Sequence, residues 1–141
     1  MSKEQISEIL KEYRVVAVVG LSADSEKDSY RVSAYLQEQG YRIIPLNPFV
    51  NEVLGEKSYP SLLEIPPEIQ KTIEIVDIFR QPKDVPPIVK QAIKLKQLFG
   101  KPFVVWMQLG IVNEQSAQEA QRAGLVVVMD KCLMVEHHRL V

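Results

Sequence analysis

The sequence predicts an α/β fold: a doubly wound parallel sheet of five strands, with helices on both faces, formed by residues 1–141 as one domain. Three observations predict it. Short β-branched apolar runs alternate with amphipathic helical patterns along the whole chain, the pattern of successive βαβ units. The run Val15–Val19 is apolar at every position, as a strand covered on both faces must be. From Gly20 to Arg31 a small-polar loop leads into a helix. That is the opening of a Rossmann-like unit, where backbone N–H groups and a helix N-terminus can receive phosphate.

Each element has its own signal. Ser2 and Gln5 stand at capping-box spacing for a first helix, Ser2 to Glu12. Val15 to Val19 is the first strand. Ser29 to Gln39 forms a helix, with Val32 and Leu36 on one side and Gly40 as its stop. The second strand, Tyr41 to Pro45, is ended by Asn47-Pro48, because proline disfavours helical backbone in the residue before it. Ser61 to Glu64 makes one helical turn, and Thr72 to Phe79 is the third strand.

Val85, Ile88, Val89, Ala92 and Ile93 then share one face of a helix that stops at Gly100. Asp84 is its expected N-cap. Pro86-Pro87 fits only because it falls in the first turn, where the backbone N–H groups have no helical partner. Pro102 to Met107 is the fourth strand, Asn113 to Arg122 a helix closed by Gly124, and Leu125 to Met129 the fifth strand. Asp130 to Val141 carries no assignable pattern. The expected strand order is 3-2-1-4-5 with right-handed crossovers. The winding would then reverse between the first and fourth strands.

Composition narrows the function. The net charge of −1 argues against a general nucleic-acid binder, whose footprint is a basic excess. The single cysteine, Cys132, cannot form an internal disulfide, which fits a reducing compartment. The N-terminal MSKEQISEILKEYR lacks the apolar core of a signal peptide. No apolar run approaches the ~20 residues of a membrane helix. The cytoplasm is the expected location, without membrane attachment.

Ligands of such sheets bind beyond the carboxyl ends of the strands. Those ends carry Gly20, Leu21, Ser22 and Ala23; Pro45, Leu46, Asn47 and Pro48; Phe79, Arg80 and Gln81; Gln108, Leu109 and Gly110; and Asp130, Lys131 and Cys132. The first loop is the wrong one for NAD. A G-x-G-x-x-G fingerprint would need glycine where Ser22 and Ser25 stand, and an acid for the ribose where Asn47-Pro48 stands.

Arg80 can reach a phosphate with its guanidinium fork, or pair with Asp84 or Asp77 at the surface. Lys27 and Arg31 flank the first loop and add charge there, or are simply solvated. Phe79 can stack on a base or ribose, or fill the core. Trp106 and Gln108 alternate along the fourth strand and share a face. Trp106 reads as core, whereas Gln108 offers a donor and an acceptor at the strand end.

Cys132 would need a base nearby to act as a nucleophile. His137 and His138 stand at no diagnostic spacing from it. With Glu136 they could form a metal set, but one cysteine and adjacent histidines is an unusual zinc pattern. No metal is expected. Two strands from the first loop, Cys132 should lie roughly 10 Å from the phosphate cradle.

The segments VVGLSADSEKDSYRVSAYLQEQGYRIIPLNP, VLGEKSYPSL, VDIFRQP and VVWMQLGIVNEQSAQEAQRAGLVVVMDKC cover nearly the whole chain. Together they resemble the small stand-alone coenzyme A-binding proteins, also called YccU-like. They also resemble the coenzyme A-binding N-terminal domain of succinyl-CoA synthetase α subunits and of ADP-forming acyl-CoA synthetases. The resemblance implies a Rossmann-like fold with a site for coenzyme A or acyl-CoA. Its positions here are Gly20, Leu21, Ser22, Ala23, Asp24 and Ser25 with Arg31, the turn Pro45 to Pro48, Phe79-Arg80 and Gln108.

The chain lacks the synthetases' phosphohistidine domain and ATP-grasp partner, so synthetase activity is not implied. Three readings stand: a non-catalytic coenzyme A or acyl-CoA module; a thiol-dependent enzyme working with coenzyme A through Cys132; and a regulatory protein that binds NAD or another adenine nucleotide and docks on a protein partner. Ligand identity separates the first from the third, and the reactivity of Cys132 separates the first from the second.

Overall fold

The structure, a computed structural model, describes residues 1–141. The strands are β1 (Val15–Val19), β2 (Arg42–Leu46), a short hairpin of β3 (Glu52–Val53) and β4 (Glu56–Lys57), then β5 (Ile75–Ile78), β6 (Val104–Met107) and β7 (Val126–Val128). The helices are α1 (Lys3–Glu12), α2 (Asp28–Glu38), α3 (Pro67–Gln70), α4 (Val85–Phe99), α5 (Glu114–Arg122) and α6 (Leu133–Leu140). Single 3-10 turns occupy Leu62–Glu64 and Pro82–Asp84. None of the helices is long and apolar enough to cross a membrane.

The main sheet is parallel throughout and runs β2-β1-β5-β6-β7. The fold class is the expected one, a Rossmann-like α/β sheet wound in both directions. The placement of one strand differs from expectation. Numbered among the five sheet strands alone, the order is 2-1-3-4-5, so the third strand, β5, lies beside β1 and not outside β2. Burial explains the choice. Ile75, Val76, Asp77 and Ile78 are all inaccessible to solvent, which requires a neighbour on each side and a layer on each face. β2 starts on exposed Arg42, and its far end pairs with the extended segment at Tyr59. The winding therefore reverses between β1 and β5.

Side chains alternate across the sheet. Ala17, Ile44, Val76, Ile78, Val105 and Val127 pack against α4, α5 and the Leu62 turn on one face. Val16, Val18, Ile43, Ile75, Val104 and Trp106 pack against α1, α2 and α6 on the other. Trp106 is core, as read, and its indole N–H donates to the Lys131 carbonyl at 2.8 Å.

The capping box of α1 forms as the Ser2/Gln5 spacing predicts, and Asn113 caps α5. Gly100 ends α4 in the left-handed region, φ 76°. Asp84 stands at the N-cap of α4 but makes no capping hydrogen bond. Its carboxylate is turned to Arg80 at 3.4 Å.

Candidate functional site

The site begins with a contact between two turns. Gly20, directly after β1, has φ 85°, and a Cβ built on it would lie 2.5 Å from the Phe79 carbonyl oxygen and 3.0 Å from Arg80 Cδ. Only a residue without a side chain lets the β1 turn and the β5 turn meet so closely. Gly20 N–H donates to the Leu46 carbonyl at 2.8 Å, so the β2 end joins the same corner.

The loop from Leu21 to Lys27 is held by its own side chains and by Ser29 of α2. Ser22 N–H donates to Ser29 Oγ at 3.0 Å, Asp24 N–H to Ser22 Oγ at 3.0 Å, and Glu26 N–H to Asp24 Oδ1 at 2.9 Å. Three donors of the expected phosphate cradle are thus engaged within the loop. Asn47 fastens the loop to β2: its Nδ2 donates to the Leu21 carbonyl at 3.0 Å, and its Oδ1 accepts from Phe49 N–H at 2.9 Å.

A groove lies over the carboxyl ends of β5 and β6. Its deeper part is a cavity of about 250 Å³, with Arg31 from α2, Phe79, Gln108, and Cys132, Met134 and Val135 from the approach and start of α6 in its walls. A shallower hollow of about 650 Å³ runs beside it over Arg80, Gln81 and Asp84. Phe79 and Ile111 line both, so the two adjoin at these side chains.

The structure brings together some of the sequence-predicted residues and not others. Arg31, Phe79 and Gln108 meet in the deep cavity, and Arg80 lines the adjoining hollow. Arg31 forms an ion pair with Asp28, also at the cavity wall. Leu21 is fully buried core, and Pro45 is buried within β2. Ala23, Asp24, Ser25, Lys27 and Pro48 are exposed and line neither part of the groove.

Three features were missed from sequence. α6 returns across the sheet end, so Cys132 lines the same cavity as Arg31 although β7 is three strands from β1. The spacing of Leu133, Glu136, His137 and Leu140 is the helical signal in what read as a patternless tail. The apolar walls Leu109, Ile111 and Val135 carried no motif. Asp77, a lone acid in an apolar strand, reads from sequence only as a partner for Arg80. It is wholly buried, and accepts from Gln108 Nε2 at 2.7 Å through Oδ1, while Oδ2 has no partner.

Burial pushes the Asp77 carboxyl up to about 8, against the smaller opposing effect of the Gln108 hydrogen bond. Burial, then the charges of Arg14 and His138, hold His137 below its ordinary value of 6.5. His137 Nδ1 lies 2.8 Å from the Tyr35 hydroxyl, which fixes the ring between α2 and α6. No three of the chain's histidine, cysteine, aspartate and glutamate side chains converge into a set that could hold a metal ion. The groove offers two guanidinium groups for anions, an aromatic and aliphatic wall, and one buried amide.

The chain is 38% identical over 136 residues to the uncharacterized protein YneT of Bacillus subtilis, covering 96% of this chain and 94% of that one. A hypothetical protein from Pyrococcus horikoshii superimposes with a TM-score of 0.89 at 43% identity, over 99% of this chain and 92% of that one. A 64-residue stretch is 42% identical to the α subunit of the ADP-forming acetate–CoA ligase II of Pyrococcus furiosus, 45% of this chain but only 14% of the ligase subunit. The family model described as a CoA binding domain matches residues 14–138. The chain belongs to that CoA-binding-domain family.

Proposed function

We propose that the protein binds coenzyme A or an acyl-CoA in the groove over β5 and β6, acting as a stand-alone domain in the cytoplasm without catalysis of its own. The observation that carries this reading is the joining of Arg31, Phe79, Arg80 and Gln108 around one groove over the carboxyl ends of β5 and β6. Coenzyme A carries a diphosphate and a ribose phosphate, which suit the two guanidinium groups. Its pantetheine arm suits the aliphatic wall of Met134, Val135 and Ile111. Asn47 in place of a ribose-binding acid disfavours NAD. The contacts of Gly20, Ser22, Ala23, Asp24, Ser25, Lys27 and Pro48 with ligand belong to the same proposal, as contacts beyond the groove's mouth made by groups other than the Gly20, Ser22 and Asp24 N–H, which are engaged within the protein.

Isothermal titration and thermal shift test it. Coenzyme A should bind one to one and raise the melting temperature, with NAD doing much less. At a hundred times its dissociation constant a ligand stabilises the fold by about 2.7 kcal/mol. Equal shifts for the two ligands would remove the assignment.

A second reading is favoured by Cys132 in the cavity wall. Its thiolate would attack coenzyme A disulfide, forming a protein–coenzyme A mixed disulfide and releasing one coenzyme A thiolate. Intact-mass measurement after incubation with the disulfide decides it. A mass gain that is absent in Cys132→Ser supports a thiol role; no gain leaves the binding module alone.

A further inference from the structure

Gln108 sits at a junction between core and groove. It is buried, it lines the deep cavity, and its Nε2 is turned away from that cavity toward Asp77 Oδ1 at 2.7 Å. The amide is planar, so Oε1 lies on the other side of its carbon and is the atom left to the cavity. Asp77 settles that orientation. An ionised carboxylate only accepts hydrogen bonds and must face the NH₂ group. A protonated one gains a donor but keeps an acceptor oxygen, so it no longer dictates which way the amide faces.

We infer that Asp77 is a positioning residue for Gln108: when ionised it holds Nε2 and so presents Oε1, an acceptor for a ligand N–H or O–H, to the groove, and when protonated it releases that constraint. The inference deepens the coenzyme A reading and rests on it for the ligand. The pantetheine arm carries amide N–H groups that match the first state.

The surroundings of Asp77 leave it no competing control. On the neighbouring strands it stands level with Val18 and Trp106, neither of which ionises. α1 buries Ile6, Ile9 and Leu10 on that face, and α2 buries Ser29, Val32, Ser33 and Leu36. Ser33 Oγ is a second buried atom without a partner. The titratable groups on this side are Glu136 and His137, buried on α6, Asp28, Arg31 and Cys132 at the cavity wall, and Tyr13, Tyr30, Tyr35 and Tyr41 packed on the same face. None of them is a cause of the displaced Asp77 titration, which arises from burial and is opposed by the Gln108 hydrogen bond. Its midpoint of about 8 puts both protonation states within reach of ordinary solution conditions.

The test has two readouts, one of them independent of any ligand. In the free protein, the side-chain ¹⁵N–¹H₂ resonances of Gln108 should shift with pH through the Asp77 titration, and should not in Asp77→Asn. For coenzyme A, the affinity should rise with pH over that titration, by up to about tenfold, the scale of one hydrogen bond to a charged or fixed partner. Asp77→Asn should lose that rise and keep only the ligand's own titrations. Resonances that do not titrate, or titrate equally in Asp77→Asn, overturn the inference. So does an affinity profile that is the same in both proteins. If the resonances behave as stated and coenzyme A does not bind, the functional reading fails while the Asp77–Gln108 coupling holds. Should Asp77→Asn not fold, Gln108→Leu serves. The Asp77 carboxyl ¹³C titration then moves to higher pH, because its donor is gone, and the pH-dependent gain in affinity disappears; an unmoved titration would overturn the coupling.

Discussion

Gly20 and Phe79 meet backbone to backbone, with room for a hydrogen but not a methyl between the glycine Cα and the Phe79 carbonyl oxygen. The contact links the loop after β1 to the strand end that carries Arg80, so the Phe79–Arg80 turn lining both parts of the groove is braced by the end of β1.

Gly20→Ala should therefore damage both stability and binding. The positive φ alone costs an L-residue about 1–3 kcal/mol, and the 2.5 Å approach to backbone oxygen adds to it. Chemical denaturation should show a loss of at least that size. An unchanged midpoint would mean that the turns can separate without penalty.

Arg80→Ala should weaken coenzyme A binding by roughly tenfold to a hundredfold, the range of a charge-assisted hydrogen bond. Stability should hardly change, because the Arg80 side chain is 45% exposed and its pair with Asp84 is a surface contact. Dephospho-coenzyme A sorts the contact. If Arg80 meets the ribose phosphate, the mutation is silent toward that analogue; if it meets the diphosphate, the loss appears with both. Unchanged affinity for both ligands would take Arg80 out of the site.

Stability should fall as pH rises between 3.8 and about 8, through Asp77. Its carboxyl holds a proton in the folded state where the unfolded chain has lost it, so raising pH favours unfolding across that window. Each pH unit of displacement corresponds to about 1.4 kcal/mol. Asp77→Asn should flatten this slope in urea titrations at several pH values, and gain on the wild type at the alkaline end. A slope identical in the two proteins would contradict the burial of a carboxyl that has to ionise.

His137 acts in the opposite direction. Burial, with Arg14 next, makes its imidazole harder to protonate in the folded protein than in the unfolded one. Stability tied to it is present above 6.5 and lost as pH falls below that value. His137→Gln should show less acid-side loss of melting temperature than the wild type. It should also loosen α6, since His137 meets Tyr35 of α2 through a 2.8 Å hydrogen bond. Equal acid profiles would detach α6 docking from this side chain.

Much of this architecture is legible in the sequence because its signals are local. The apolar run Val15–Val19, the Ser2/Gln5 spacing, the Gly100 stop and the stripe from Val85 to Ile93 all report on neighbours within a turn or a strand. Strand order is not local. Thr72–Phe79 reads as a strand wherever it lies, and only the burial of Asp77 and its neighbours places it beside β1. Likewise Phe79, Arg80 and Gln108 could be chosen as strand-end residues and Arg31 as a charge flanking the first loop, but the cavity wall from Cys132 to Val135 depends on where α6 folds back. Leu21 shows the limit of reasoning by position: it directly follows the turn glycine, yet its side chain fills the core.

The sheet order also determines what the two outer strands offer to other chains. β7 is only three residues long, Val126–Val128. At the opposite side, β2 carries the Tyr59 segment along its far end, where Asn47 N–H donates to the Tyr59 carbonyl at 2.9 Å and Tyr59 N–H to the Pro45 carbonyl at 3.1 Å. An incoming strand thus finds a short row of free backbone groups on one border and an occupied stretch on the other. Strand-by-strand addition, the usual seed of aggregation for a parallel sheet, has little to start from.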